Sequence, residues 1–127
     1  MVERSNEQWV AALSQSSTDE YDVALEDLRV ILVRGLGYAL ADRSNVRDND
    51  LEDFAQDATL KILKGLHTFR GESLFTTWAH KIAVRVAFTE LRRRRWRDVS
   101  LDEMTESTFD VLKYIHSSFL ILGNVQE

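Results

Sequence analysis

The stretch LFTTWAHKIAVRVAFTELRRRRW, residues 74–96, decides the class of fold. It contains no glycine or proline, and as a helix at 1.5 Å per residue it would be about 34 Å long. Phe75, Ala79, Ile82 and Val86 recur at three- and four-residue spacing, so they share one face and are expected to meet a core. Lys81, Arg85, Arg92 and Arg95 follow the spacing i, i+4, i+11, i+14 and fall on a second stripe, with Phe88 in its middle. Arg93 and Arg94 point elsewhere and add to the local field. Cations along one line suit the phosphates of a nucleic-acid backbone; a solvated helix surface is the competing reading.

Upstream of this helix, Phe69, Arg70, Gly71, Ser73, Phe75, Thr76, Thr77 and Trp78 combine aromatic rings with small polar groups. Residues 67–72 read as a loop and Ser73 as the helix cap. Aromatic faces stack on unpaired bases. Core packing is the competing role, strongest for Phe75 and serious for Trp78.

Further upstream, Leu51, Phe54, Ala55, Ala58, Ile62 and Leu66 mark a helix over about 50–66, capped by Asn49 or Asp50 and closed near Gly65. Its outer side carries Asp53, Gln56, Asp57 and Lys64 with Leu60 among them. A leucine set in a polar, mostly acidic surface suggests a protein-binding patch. An earlier helix follows the N-cap candidates Ser16, Ser17 and Thr18, with Tyr21, Leu25, Leu28, Leu32, Leu36 and Ala39 in line. Gly35 and Gly37 interrupt its propensity and are expected to serve close packing. Residues 5–15 form a candidate short first helix through Trp9, Val10 and Leu13. Downstream, residues 98–108 read as a linker and 109–122 as a candidate fifth helix.

The whole chain has 127 residues, enough for one domain and a tail. With no proline and five glycines, almost nothing breaks helices, so an all-α fold is expected. The net charge of −5 hides a split. Residues 1–80 hold 8 Lys/Arg against 14 Asp/Glu, residues 81–97 hold 7 against 1, and residues 98–127 hold 1 against 6. A polyanion responds to the local field of that basic block, not to the total.

Several function classes lack support. The absence of cysteine excludes a disulfide scaffold, a thiolate metal site and a cysteine nucleophile. His67, His80 and His116 form no H-x-x-x-H or H-E-x-x-H pair, and no nucleophile elbow or phosphate-cradling loop occurs. Neither an enzyme nor a metal or other cofactor is expected. The charged start shows no secretory signal, and no run is long enough to span a bilayer, so a soluble cytoplasmic protein with no membrane partner is expected.

Three segments together resemble region 2 of a bacterial RNA polymerase sigma factor of the extracytoplasmic-function type. Asp53-Phe54-Ala55-Gln56-Asp57 followed by Leu60-Lys61-Ile62-Leu63 is similar to the family's polymerase-binding helix. The run from Phe69-Arg70-Gly71-Glu72-Ser73 through Ala83 resembles the loop and helix that capture the promoter −10 element. Glu90-Leu91-Arg92-Arg93-Arg94-Arg95-Trp96-Arg97 and then Val99-Ser100-Leu101-Asp102-Glu103 resemble the basic helix end and the start of the interdomain linker. The similarity covers about residues 20–103.

The resemblance implies a compact three- to four-helix bundle with a C-terminal tail or extra helix: residues 1–18 an N-terminal extension, 19–97 the region 2 domain, 98–127 linker and tail. It implies that Asp53, Gln56, Asp57 and Leu60 contact the β′ clamp helices of core RNA polymerase. Phe69, Arg70, Gly71 and Ser73 would line a pocket for an extruded base of the non-template strand, shaped by Phe75 and Thr76. Trp78, Lys81 and Arg85 would meet the upstream part of the −10 DNA, and Arg92, Arg93, Arg94 and Arg95 the backbone beyond it. An anti-sigma factor is a further candidate partner. Residues 104–127 are too few for region 4, the −35-reading domain of the family, and do not resemble its start. A fragment, a short sigma-like protein and half of a split factor all fit that departure. So does a decoy that binds polymerase or an anti-sigma protein and initiates nothing.

Overall fold

Local chemistry starts each helix. Ser5 and Gln8 form a capping box at the head of α1 (Asn6–Leu13): the Ser5 hydroxyl accepts from the Gln8 N–H at 3.1 Å, and the Gln8 side chain accepts from the Ser5 N–H at 2.8 Å. Thr18 caps α2 (Asp19–Ala39), as the sequence suggests, accepting from the Tyr21 N–H at 3.1 Å. Asp19, Glu20 and Asp22 in its first turn suit the positive end of the helix dipole.

Two expected caps are corrected. α3 (Asp48–Lys64) begins with Arg47 at the N-cap, and Asp50 sits in the first turn, accepting from the Arg47 N–H at 2.8 Å. Ser73 does not cap α4 (Phe75–Asp98); its hydroxyl donates to the Leu74 carbonyl at 3.1 Å. The first-turn N–H of Phe75 is satisfied instead by Asn6, whose Oδ1 accepts it at 2.8 Å. A 3-10 turn, Leu66–Thr68, leads out of α3, so Leu66 lies beyond the helical stripe assigned to it.

The computed structural model describes residues 3–98; the expected linker, the fifth helix over 109–122 and the rest of the tail lie outside the described residues. The all-α expectation holds: four α-helices and one 3-10 turn, with no strand among the described residues. Among them, no helix is long and apolar enough to cross a membrane. The chain divides into two compact units, Met1–Ala83 and Val84–Glu127.

In the first unit the core is built from one side of each helix. Leu28, Leu32, Leu36, Phe54, Ile62 and Phe75 are its largest fully buried side chains. Each stabilises the fold by about 1.5–3 kcal/mol relative to exposure. Trp9 and Leu13 of α1 are buried with them. Ala39, assigned to the buried stripe of α2, is exposed because the helix ends there; Leu40 turns inward in its place. On α4, Ala83 is fully buried and Ile82 half-buried.

Gly35 serves close packing. A Cβ there would collide with the ring of His80, whose Nε2 lies 3.2 Å from the Ile31 carbonyl and Nδ1 2.8 Å from the Thr76 carbonyl. Gly37 has no such role, since an added Cβ would make only ordinary contact with Leu51.

Charge pairs tie the helices at their edges. Arg29 reaches Glu26 at 2.6 Å and Glu52 of α3 at 2.8 Å. The hydrogen bonds it donates to Glu26 and then Glu52 hold its guanidinium further above its ordinary range, and the bond to Glu26 keeps that carboxyl below the usual carboxylate range. The Glu26 contribution is therefore present above the usual carboxylate range and fades as pH falls through it.

In the second unit α4 continues with Val86, Ala87 and Leu91 buried. Arg94 pairs with Glu90 at 3.7 Å, one helical turn apart. The Thr89 hydroxyl donates to the Arg85 carbonyl at 2.8 Å.

Candidate functional site

Helical periodicity alone displays the outer face of α3. Phe54, Ala55, Ala58 and Ile62 are buried, which turns residues 53, 56, 57 and 60 outward on successive turns. Asp53, Gln56 and Asp57 are exposed, and Leu60 stands among them 53% exposed. Exposing that leucine among carboxylates gives the face an apolar centre with a polar surround, which is how a docking patch is built.

The loop into α4 has a different construction. Phe69 is half-buried, with its ring edge-on to Phe75 at 5.5 Å and tilted against Trp78 at 5.0 Å. Phe75 in turn lies 5.6 Å from Trp78 and stacks on Trp9 at 5.2 Å with 17° between planes. Each such pair contributes about 0.5–1.5 kcal/mol beyond its area. Phe75, expected to shape the pocket, is 1% exposed, which leaves almost none of its ring open to a direct DNA contact; it packs beneath Phe69 and Trp78. Arg70 and Gly71 are exposed, and Ser73, Thr76 and Trp78 are half-buried. Gly71 has φ +74, a left-handed conformation that glycine adopts without strain.

Two residues of this region carry no role in the sequence reading. Leu74, between Ser73 and the helix, is 68% exposed beside the aromatic cluster. Asn6, from the far end of the chain, donates from Nδ2 to the Ser73 carbonyl at 2.9 Å while it caps Phe75. The Ser5-x-x-Gln8 capping pattern adds a sequence signal for the start of that helix to the Trp9, Val10 and Leu13 stripe.

Among the cations, Lys81 is half-buried in the first unit. In the second unit Arg85, Arg92 and Arg94 are half-buried and Arg93 and Arg95 exposed. Among the described residues no cluster of histidines and carboxylates has the arrangement of a metal site.

Comparison with known proteins gives these surfaces a context. The family described as Sigma-70 region 2 matches residues 31–97. An ECF RNA polymerase sigma-E factor from Haemophilus influenzae is 36% identical over 61 residues, 48% of this chain and 32% of the relative. The ECF RNA polymerase sigma-E factor of Escherichia coli is 39% identical over 57 residues, 45% of this chain and 30% of the relative. An RNA polymerase sigma-H factor from Pseudomonas aeruginosa is 37% identical over 57 residues, again 45% and 30%. The chain thus spans about a third of the length of the curated relatives it matches. No solved structure matches it.

Proposed function

Since the chain belongs to the Sigma-70 region 2 family, we propose that it is a sigma-factor module that binds core RNA polymerase and recognises and melts the promoter −10 element. The observation that carries this reading is the outer face of α3, where Asp53, Gln56, Asp57 and Leu60 stand exposed while the opposite side is buried. That face docks on the β′ clamp helices. The loop at Phe69, Arg70, Gly71 and Ser73 receives an unstacked base of the non-template strand. Phe75 supports the pocket from beneath, Thr76 shapes its wall, and Trp78, Lys81 and Arg85 meet the DNA upstream. Arg92, Arg93, Arg94 and Arg95 strengthen backbone contacts. The module works in the cytoplasm, where polymerase and promoter meet, and an anti-sigma factor is a partner that would compete for its surfaces.

The mechanism is binding energy and involves no bond chemistry. Unstacking a duplex loses about 1.4 kcal/mol per step. One base stacked on an aromatic side chain recovers about 1–3 kcal/mol. A few such contacts offset local melting once polymerase supplies the platform. The cationic helix lowers the cost of approach to the phosphates and makes it salt-dependent.

Transcription in vitro tests the reading. Core polymerase with this chain is expected to make a transcript from a promoter carrying a −10 element that the chain selects. Inhibition of another sigma factor, with no transcript of its own, would identify a decoy instead.

A further inference from the structure

We infer that Asn6 is a positioning residue for base recognition: α1 sets the shape of the reading loop from outside the segment that does the reading. This rests on the assignment of the loop around Phe69 to an unstacked base.

The Asn6 carboxamide spans the point where the loop becomes α4. Its Nδ2 holds the Ser73 carbonyl at 2.9 Å and its Oδ1 holds the Phe75 N–H at 2.8 Å, so the exposed Leu74 is bracketed on both sides. One turn further along α1, Trp9 stacks on Phe75, and Phe75 carries Phe69 and Trp78. The loop is therefore clamped to α1 twice, once through backbone and once through rings.

The clamp is itself anchored. The Arg4 side chain, 5% exposed, pairs with Asp27 at 2.7 Å and Glu20 at 3.3 Å, both on α2. Its guanidinium lies over the Trp9 ring, 4.8 Å from the centroid. Burial works against that charge, but the hydrogen bonds to Asp27 and Glu20 outweigh it and hold its pKa above the ordinary value. A cavity of about 380 Å³ adjoins the clamp and is lined by Arg4, Asn6, Trp9, Leu74, Phe75 and Thr76 among others. Residues of α1 thus form part of the wall facing the start of α4.

Recognition of a base needs its partners held to within about half an ångström by the residues behind them. Phosphate contacts tolerate more movement and carry no sequence information directly. At Gly71 the loop has open space around its Cα and a left-handed backbone. Among the described residues, the Asn6 carboxamide is the side chain seen donating to the Ser73 carbonyl, and its loss should let the segment between Gly71 and α4 shift. Loss of Asn6 should cost discrimination between bases more than total affinity.

Asn6→Asp separates the two halves of the clamp. A carboxylate still accepts from the Phe75 N–H and suits a helix N-terminus, but it cannot donate to the Ser73 carbonyl. The full chain, as wild type, Asn6→Asp, Asn6→Ala and Phe69→Ala, is incubated with a pool of single-stranded DNA with a randomised core, and the retained DNA is sequenced. Circular dichroism checks folding. Wild type should enrich a base pattern. Asn6→Asp should lower that enrichment about fivefold, the value of roughly one hydrogen bond, while total retained DNA changes less than about twofold. If folded Asn6→Asp and Asn6→Ala enrich the same pattern as fully as wild type while Phe69→Ala loses it, the inference is overturned and the base-reading assignment stands. If wild type enriches no pattern, the assignment falls and this inference with it.

Discussion

On α3, Asp53, Gln56, Asp57 and Leu60 stand exposed along a helix whose other side buries Phe54, Ala55, Ala58 and Ile62. In the loop before α4, Phe69, Phe75 and Trp78 lean on one another and on Trp9, and a side chain from α1 holds the backbone. The first surface needs only the periodicity of one helix to be presented. The second needs three separated segments to meet. A helical face can therefore be lost only by changing its own residues or unfolding the helix, whereas the loop can be lost from a distance.

Substitutions in the two regions should part company accordingly. Trp9→Ala has the largest expected effect: truncating a buried ring costs about 3–5 kcal/mol, read as a fall in the chemical denaturation midpoint. A cost near zero would mean that α1 is not part of the core that carries the loop. Gly35→Ala comes next. Its Cβ meets the His80 ring, so overpacking should cost about 1–3 kcal/mol, and most of that cost should vanish in a His80→Ala background. An equal cost in both backgrounds would break the link between α2 and the helix that follows the loop. The smallest stability change is expected for Asp53→Ala with Gln56→Ala, within about 0.5 kcal/mol as for other exposed sites. The same pair should weaken capture of core polymerase about fivefold or more, as truncation of interface anchors does. Unchanged capture would remove the docking role of α3.

The same contrast explains what the sequence makes legible. The α3 stripe follows from spacing alone, and Phe54, Ala55, Ala58 and Ile62 are buried as the period requires. The burial of Phe75 is also legible, because a ring in a helical stripe has few other uses; the glycines are legible only in part, since of Gly35 and Gly37 only Gly35 meets a neighbour too closely for a Cβ. The cap of α4 is not. Local rules select Ser73, yet the partner of the Phe75 N–H comes from Asn6, 69 residues away. The same holds for Phe69, whose ring finds two aromatic neighbours across the turn and is half-buried. Its loop position suggests an open ring; its partners are set by how the loop folds back, which no periodicity records. The misplaced end of the α2 stripe, Ala39 for Leu40, is the ordinary imprecision of a helix terminus.

The central claim is that a loop held in this shape binds an unstacked nucleotide through Phe69. The direct measurement compares wild type and Phe69→Ala for affinity to a single-stranded oligonucleotide carrying the selected −10 sequence and to the same sequence as duplex. The expected loss is about 1–3 kcal/mol on the single strand with little change on the duplex. An equal loss on both, or none on either, would contradict it.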